Sequence, residues 1–368
     1  MSLVHSLGVL LIVQKFLTIP NFSEKSRVKS STVVLRMTPI FLIILSSSAD
    51  PLILAIFSSK EVTVGHLVGM LEIFIHRVSI ILIFIIGIKN NRKHLTVILT
   101  VVSFEQKIME ECQIEKNFSK KCCCSLPNLE FFFIVIFNFG LSIIFFAAYS
   151  ENFTFYEILT QYLHIILTAS NDLFILYLGH ILGELKRLLS VVKRTSKLKE
   201  INDFLITTNF LKLFNLVNEA LGSLMLVTYF QHIISCSLGA YYIFWIGSTT
   251  KISGINIYFL FGSIIWTSRD AIYMIFLSNM GNSLKYQMDE YLSFQNRVEN
   301  VLASNEYRKK DGYKNQSNHK LWIHHLERGI VACGSLKINN SGIFSIITFV
   351  TTVIVVLIQF KNIEDNTT

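Results

Sequence analysis

Long apolar runs, separated alternately by short links and by long basic stretches, organise this chain. A helix needs about 20 mostly apolar residues to cross the hydrocarbon core of a bilayer. Six stretches qualify, over roughly 64–88, 129–149, 156–179, 222–246, 254–279 and 341–360. A seventh, 38–57, is interrupted by Asp50-Pro51. Proline is tolerated inside a span, whereas an aspartate there costs about 2.5–3.5 kcal/mol on insertion. The pattern therefore predicts an all-α integral membrane protein with seven transmembrane helices, built as one unit over residues 1–368. Between spans the periodicity continues. Leu284, Met288, Tyr291, Phe294, Val298 and Val301 recur at helical spacing in 281–302. Ile181, Leu185, Leu188, Leu189 and Val192 do so in 180–192. These predict inner extensions of the fourth and sixth spans that pack together below the membrane. Asn305 to Lys320 is polar and aperiodic, which predicts a mobile loop. Leu7 to Val13 reads as an amphipathic, membrane-associated segment rather than a signal peptide.

Charge sets the direction of the spans. Segments 1–37, 89–128, 180–221 and 280–340 hold 5, 7, 7 and 9 Lys plus Arg, while the alternate links and the tail hold only Lys60, Lys251 and Lys361. Basic residues resist translocation and gather on the cytoplasmic side. The amino terminus is therefore expected in the cytoplasm and the carboxyl terminus outside. The same count favours seven spans over six, because without 38–57 the basic segment 1–37 would lie outside. Sequons at Asn152 and Asn366 fall outside on this map, but others fall inside, so they weigh little.

Composition then excludes several classes. Only 16% of residues are charged, against about 25% in soluble domains, so two soluble domains are ruled out. The net charge of +8 accompanies no nucleic-acid-binding motif, and no nucleic-acid partner is expected. Cys122, Cys123 and Cys124 lie beside Lys120 and Lys121, where S-acylation and plain free thiols are both open and free thiols are favoured. No cofactor is implied, and no His or second Cys pair stands at metal-ligand spacing. Without HExxH, GxSxG or paired CxxC, the chain does not read as an enzyme.

Two sets of residues carry candidate chemistry. Ionisable residues inside spans are functional candidates by default. Arg77, Asp172, Arg269 and Asp270 predict a charge pair, and Glu72 and His76, four apart, either share a proton or pair. The last span is the second. Ser341, Ser345, Thr348, Thr352 and Gln359 fall within roughly 20–40° of one direction at about 100° per residue, with Val355 and Val356 flanking the gap. Around an axis shared by several copies, such an edge would line a wetted conduit, pinched at Val355, Val356 and Phe360. Alternatively it is a packing face built on small hydroxyl residues. The pattern by itself favours packing.

The segment Thr352-Val353-Ile354-Val355-Val356-Leu357-Ile358-Gln359-Phe360 resembles the signature that closes the last span of insect gustatory receptors: Thr-Tyr, five apolar residues, Gln-Phe. Val353 stands where that family usually has Tyr. Ala332-Cys333-Gly334 and Ile338-Asn339 resemble its lead-in. The resemblance implies a plasma-membrane, multi-pass protein of sensory neurons that acts as a taste receptor. It would be a ligand-gated, non-selective cation channel, tetrameric with like or unlike subunits, whose cytoplasmic helices form an anchor. Ser345, Thr348, Thr352, Val355, Val356, Gln359 and Phe360 would then line or gate the pore, which tips the reading of the polar edge from packing to conduit. A small-molecule tastant would bind in the outer half of each subunit. There Glu72, Gln161, His164, Tyr242, Trp245, Tyr258 and Trp266 are the candidates, with Tyr149 and Tyr241 beside them. Each singly reads more readily as a packing residue. Sugar-responding members often carry an acidic residue where Ile354 stands, which favours a bitter or other non-sugar ligand.

Two alternatives remain at this point. A G-protein-coupled-type receptor would need its amino terminus outside, and Asp/Glu-Arg-Tyr and Asn-Pro-x-x-Tyr are missing. A transporter would show internal repeats and broken helices, and neither is evident.

Overall fold

The computed structural model describes residues 37, 40–45, 64–111, 140, 155–199, 204–248, 254–306, 331–332, 336–337 and 340–367. Its elements, in chain order, are α1 (Val64–Glu111), α2 (Phe155–Lys199), α3 (Phe204–Ser248), α4 (Gly254–Glu306), a two-stranded ribbon of β1 (Val331–Ala332) and β2 (Leu336–Lys337), and α5 (Asn340–Thr367). The fold is all-helical apart from that ribbon, in which Val331 pairs with Lys337 and Ala332 with Leu336, antiparallel. The ribbon falls in the lead-in to the last helix, where the sequence predicts no strand; a two-residue strand leaves too short an alternation to read.

Helices α1 to α4 have 48, 45, 45 and 53 residues. At 1.5 Å per residue each is about 70–80 Å long, more than twice the ~30 Å hydrocarbon core. Each is therefore long enough to carry a membrane-crossing stretch and a long extension beyond it. For α2 and α4 this is the predicted arrangement, and both extensions are buried against one another. The extensions of α1 beyond residue 88 and of α3 before residue 222 were not anticipated, although Val97, Val101, Phe104 and Ile108 keep a helical period and lie in the core.

The main apolar core sits in this extended part. Ile98, Val101, Phe104, Leu185, Leu188, Phe210, Phe214, Leu284, Met288 and Tyr291 belong to one buried cluster. Burial of each such side chain contributes about 1.5–3 kcal/mol where the alternative is water. Ion pairs flank it: Arg187 meets Glu105 at 2.6 Å and also Glu184, and Lys193 pairs with Glu290.

Helix α3 is the hub, packed against α1, α4, α5 and β1. Close approach to α4 depends on small residues. A Cβ on Gly179 of α2 would stand 2.8 Å from Phe276 Cε1 of α4, and one on Gly239 of α3 would overlap Thr267 Oγ1. Small residues at helix contacts are how membrane helices come close enough for dispersion to hold them.

Among the described residues, four helical stretches are long and apolar enough to cross a membrane: Met70–Ile108, Asn209–Ser248, Leu260–Gln295 and Phe344–Ile363. In the most apolar part of α3, 56% of residues are buried; in α5, only 6%. Large apolar side chains such as Phe74, Ile85, Phe230, Phe261 and Ile272 face outward, as lipid contact requires. The predicted span 129–149, apart from residue 140, lies outside the described residues. So do most of 38–57, residues 307–320 of the predicted loop, the segment Leu7 to Val13 and Cys122 to Cys124.

Candidate functional site: a buried polar network and an uncovered helix edge

Where α1 to α4 come together in their apolar stretches, the buried residues turn polar. His76, Asn171, Asp172, Gln231, His232, Ser235, Arg269 and Asp270 are all buried. Polar groups in an apolar setting must find partners, because an unmet donor or acceptor loses its hydration without return. Here they form a directed chain. The Asn171 amide donates to Gln231 Oε1, and the Gln231 amide donates to His76 Nδ1 at 2.8 Å. That fixes His76 Nε2 as the protonated nitrogen, which faces Ser235 Oγ at 3.4 Å. Trp266 Nε1 also donates to Ser235 Oγ, at 3.3 Å. Ser235, accepting from both, donates its own proton to Glu72 Oε1 at 3.2 Å. Four helices contribute, and the chain ends on a carboxylate.

A second set adjoins it. Arg269 donates to Asp172 at 3.0 Å and lies 3.8 Å from Asp270, which also takes His232 Nδ1 at 2.8 Å. The guanidinium carbon stands 4.2 Å above the Trp266 ring and 5.8 Å from that of Tyr273. The predicted charge pair is thus within one chain, between α2 and α4. Glu72 and His76 are joined through Ser235.

Of the sequence-predicted ligand residues, Glu72 and Trp266 meet at Ser235. Tyr242 and Trp245, rings 5.5 Å apart, pack nearby with Val68 and Ile75 of α1 and Leu357 of α5. Val68, Glu72 and Ile75 share one face of α1, so the carboxylate opens onto this aromatic group. Gln161 and His164 lie in α2 and Tyr258 in α4, but their side chains, and Tyr149, lie outside the described residues. The reading of single residues missed Asn171, Gln231, His232 and Ser235. Their signal was available: polar residues in the middle of apolar spans are expensive and need a reason.

The edge of α5 is the other candidate. Ser345, Thr348, Thr352, Val355, Val356, Gln359 and Phe360 are all exposed. The side that meets the rest of the chain carries Ile346, Val350 and Leu357, which at about 100° per residue point roughly opposite the polar edge. The edge is therefore not packed against other described parts of the same chain. Thr348 Oγ1 donates to Phe344 O at 3.0 Å and Thr352 Oγ1 to Thr348 O at 2.9 Å. With both protons turned back onto the helix, what these hydroxyls present outward is oxygen lone pairs.

The sequence pattern of the 7tm chemosensory receptor family matches residues 7–364. The chain belongs to that family. Two solved structures are similar to this chemosensory receptor, both of the insect olfactory receptor OR5 from Machilis hrabei. One, in complex with eugenol, is 13% identical, covers 97% of this chain and 97% of its own, and superposes with a TM-score of 0.67. The other, of the same receptor, is 12% identical over 97% of each chain, with a TM-score of 0.60. At such identity the likeness is one of fold. No curated protein matches the sequence.

Proposed function

We propose that this chemosensory receptor is one subunit of a ligand-gated, non-selective cation channel that serves as a gustatory receptor for small molecules. Seven spans run from a cytoplasmic amino terminus to an external carboxyl terminus in a single unit over 1–368. Four copies, like or unlike, place α5 around a central axis in the plasma membrane of a sensory neuron. The observation that carries this reading is the uncovered polar edge of α5, turned away from the only face with which that helix meets the rest of the described chain. An edge of hydroxyls and an amide gains nothing from lipid, whereas water and like edges from other copies satisfy it.

The threonine geometry supports the choice of ion. Outward lone pairs can replace part of a cation's hydration shell and offer an anion nothing. Gln359 and Phe360 form the constriction, with Val355 and Val356 as the apolar step below it. The taste assignment rests on the Gln359-Phe360 ending. Binding of a small organic molecule is supported by the eugenol complex of the olfactory relative and by the aromatic group around Glu72. Leu357 of α5 packs against the same apolar cluster as Tyr242 and Trp245, which supports coupling between such a site and α5.

The test is electrophysiological. Gln359→Ala should alter unitary conductance or relative ion permeability while surface expression stays at the wild-type level. Unchanged currents and unchanged ion preference would remove α5 from the pore.

A further inference from the structure

The charges in the membrane part of the bundle do not balance at one point. Arg269 makes its ion-pair contacts with Asp172 and Asp270 and reaches Glu72 only through its field. Among the described residues no Lys or Arg forms an ion pair with Glu72, whose bond to Ser235 engages one carboxylate oxygen. A carboxylate in such a setting is costly, so the group takes up either a proton or a cationic partner. Around it stand three electron-rich rings that are themselves only partly covered. Trp266 reaches the same serine as Glu72, the Tyr242 phenol lies within electrostatic range of the carboxylate, and Trp245 packs on Tyr242. The faces of Trp and Tyr attract cations by their quadrupoles; Trp266 already carries the Arg269 guanidinium on one face, so the attraction of a further cation falls mainly to Tyr242 and Trp245. Ser235, held by three partners, fixes the carboxylate's position before any ligand arrives.

We propose that this group recognises a protonated amine: the ammonium pairs with Glu72, and its apolar substituents lie against Trp266, Tyr242 and Trp245. The inference rests on the ligand site described under the proposed function and specifies what that site binds. It also states what Glu72 contributes that Gln at the same position would not, namely charge rather than hydrogen bonding.

Binding separates this claim from the channel claim. Full-length protein is purified into lipid nanodiscs, and its thermal unfolding is followed with a graded series of arylalkyl amines beginning with phenethylamine. Each is compared with its uncharged alcohol isostere, beginning with 2-phenylethanol. At least one amine should stabilise the wild-type protein at a concentration about tenfold or more below its alcohol. Glu72→Gln should erase that difference, and Glu72→Asp should keep part of it. The wild-type comparison needs no variant, so poor folding of E72Q does not blunt the test. The proposal is overturned if no amine in the series outperforms its alcohol up to 10 mM (roughly the limit of meaningful affinity), or if a folded E72Q retains the full preference. A binding preference with no amine-evoked current would count against the channel reading alone. Currents evoked equally by amine and alcohol would count against the amine alone.

Discussion

At the scale of single residues, the membrane part of this protein is held by polar contacts, each of which depends on its neighbours. Lipid is as apolar as leucine, so helices gain little there by burying apolar surface against one another. Hydrogen bonds and ion pairs supply the specificity instead. Arg269 shows the consequence. Replacing it by methionine would leave Asp172 and Asp270 buried without their shared cation, a change that costs about 3–5 kcal/mol when one member of a buried pair is removed. Arg269→Met should therefore lower the thermal midpoint of detergent-solubilised protein, read by fluorescence size-exclusion after heating. Adding Asp172→Asn should recover part of the loss. If the double variant were no more stable than R269M, Asp172 would not be the partner that matters. Asn171 with Asp172, and Gln231 with His232, form adjacent polar pairs inside apolar runs, of which the sequence reading singled out only Asp172. Their partners lie 60 positions away for Asn171 with Gln231 and 155 for Gln231 with His76, beyond the reach of any local pattern.

At the scale of elements, α5 differs from the rest. Its polar edge needs no partner to form, because the threonine protons bond the helix's own carbonyls four residues back. That edge was legible in the one-dimensional pattern, but its role was not, since packing and conduit demand the same residues. In the structure Ile346, Val350 and Leu357 turn toward the other described helices and the hydroxyls turn outward. Thr348→Val with Thr352→Val keeps shape and removes the outward oxygens. In the proposed pore the pair should reduce cation current or shift the reversal potential under asymmetric salt, with folding and surface level unaffected. Unaltered conduction would mean that those oxygens meet no ion. The long extensions of α1 and α3 show the opposite failure of reading: the helical period continues past residue 88 and before residue 222, but the basic residues that mark the span ends conceal it.

At the scale of the whole molecule, the burial pattern divides in two. Apolar side chains are buried along the whole bundle, and in the extensions almost nothing else is, since water makes their burial favourable there. Polar ones are buried among the apolar stretches, where unpaired polar groups are most costly. This inversion suits a bundle standing half in lipid and half in water. It agrees with the asymmetry of Lys and Arg along the chain, from which the extensions are expected on the cytoplasmic side. Two measurements check the global proposal. An amino-terminal tag should be protected from protease added outside intact cells and cut after permeabilisation. Native mass measurement of the purified assembly should return four copies of a 42.2 kDa chain. An externally cleaved tag or a lone monomer would each remove a different part of it.

The amino-acid sequence alone determined the helical class, most of the crossing stretches, the expected direction of insertion and the two-sided character of the last helix. All of these follow from hydropathy, charge and a 3.6-residue period, which are properties of neighbours in the chain. Only the tertiary structure decided that Glu72, Ser235 and Trp266 meet, that Arg269 serves two aspartates, and that the hydroxyl edge of α5 faces away from the other described helices. Those facts depend on how separate helices rotate about their axes and how closely glycines let them approach, and no periodicity within a single helix encodes its neighbour's orientation.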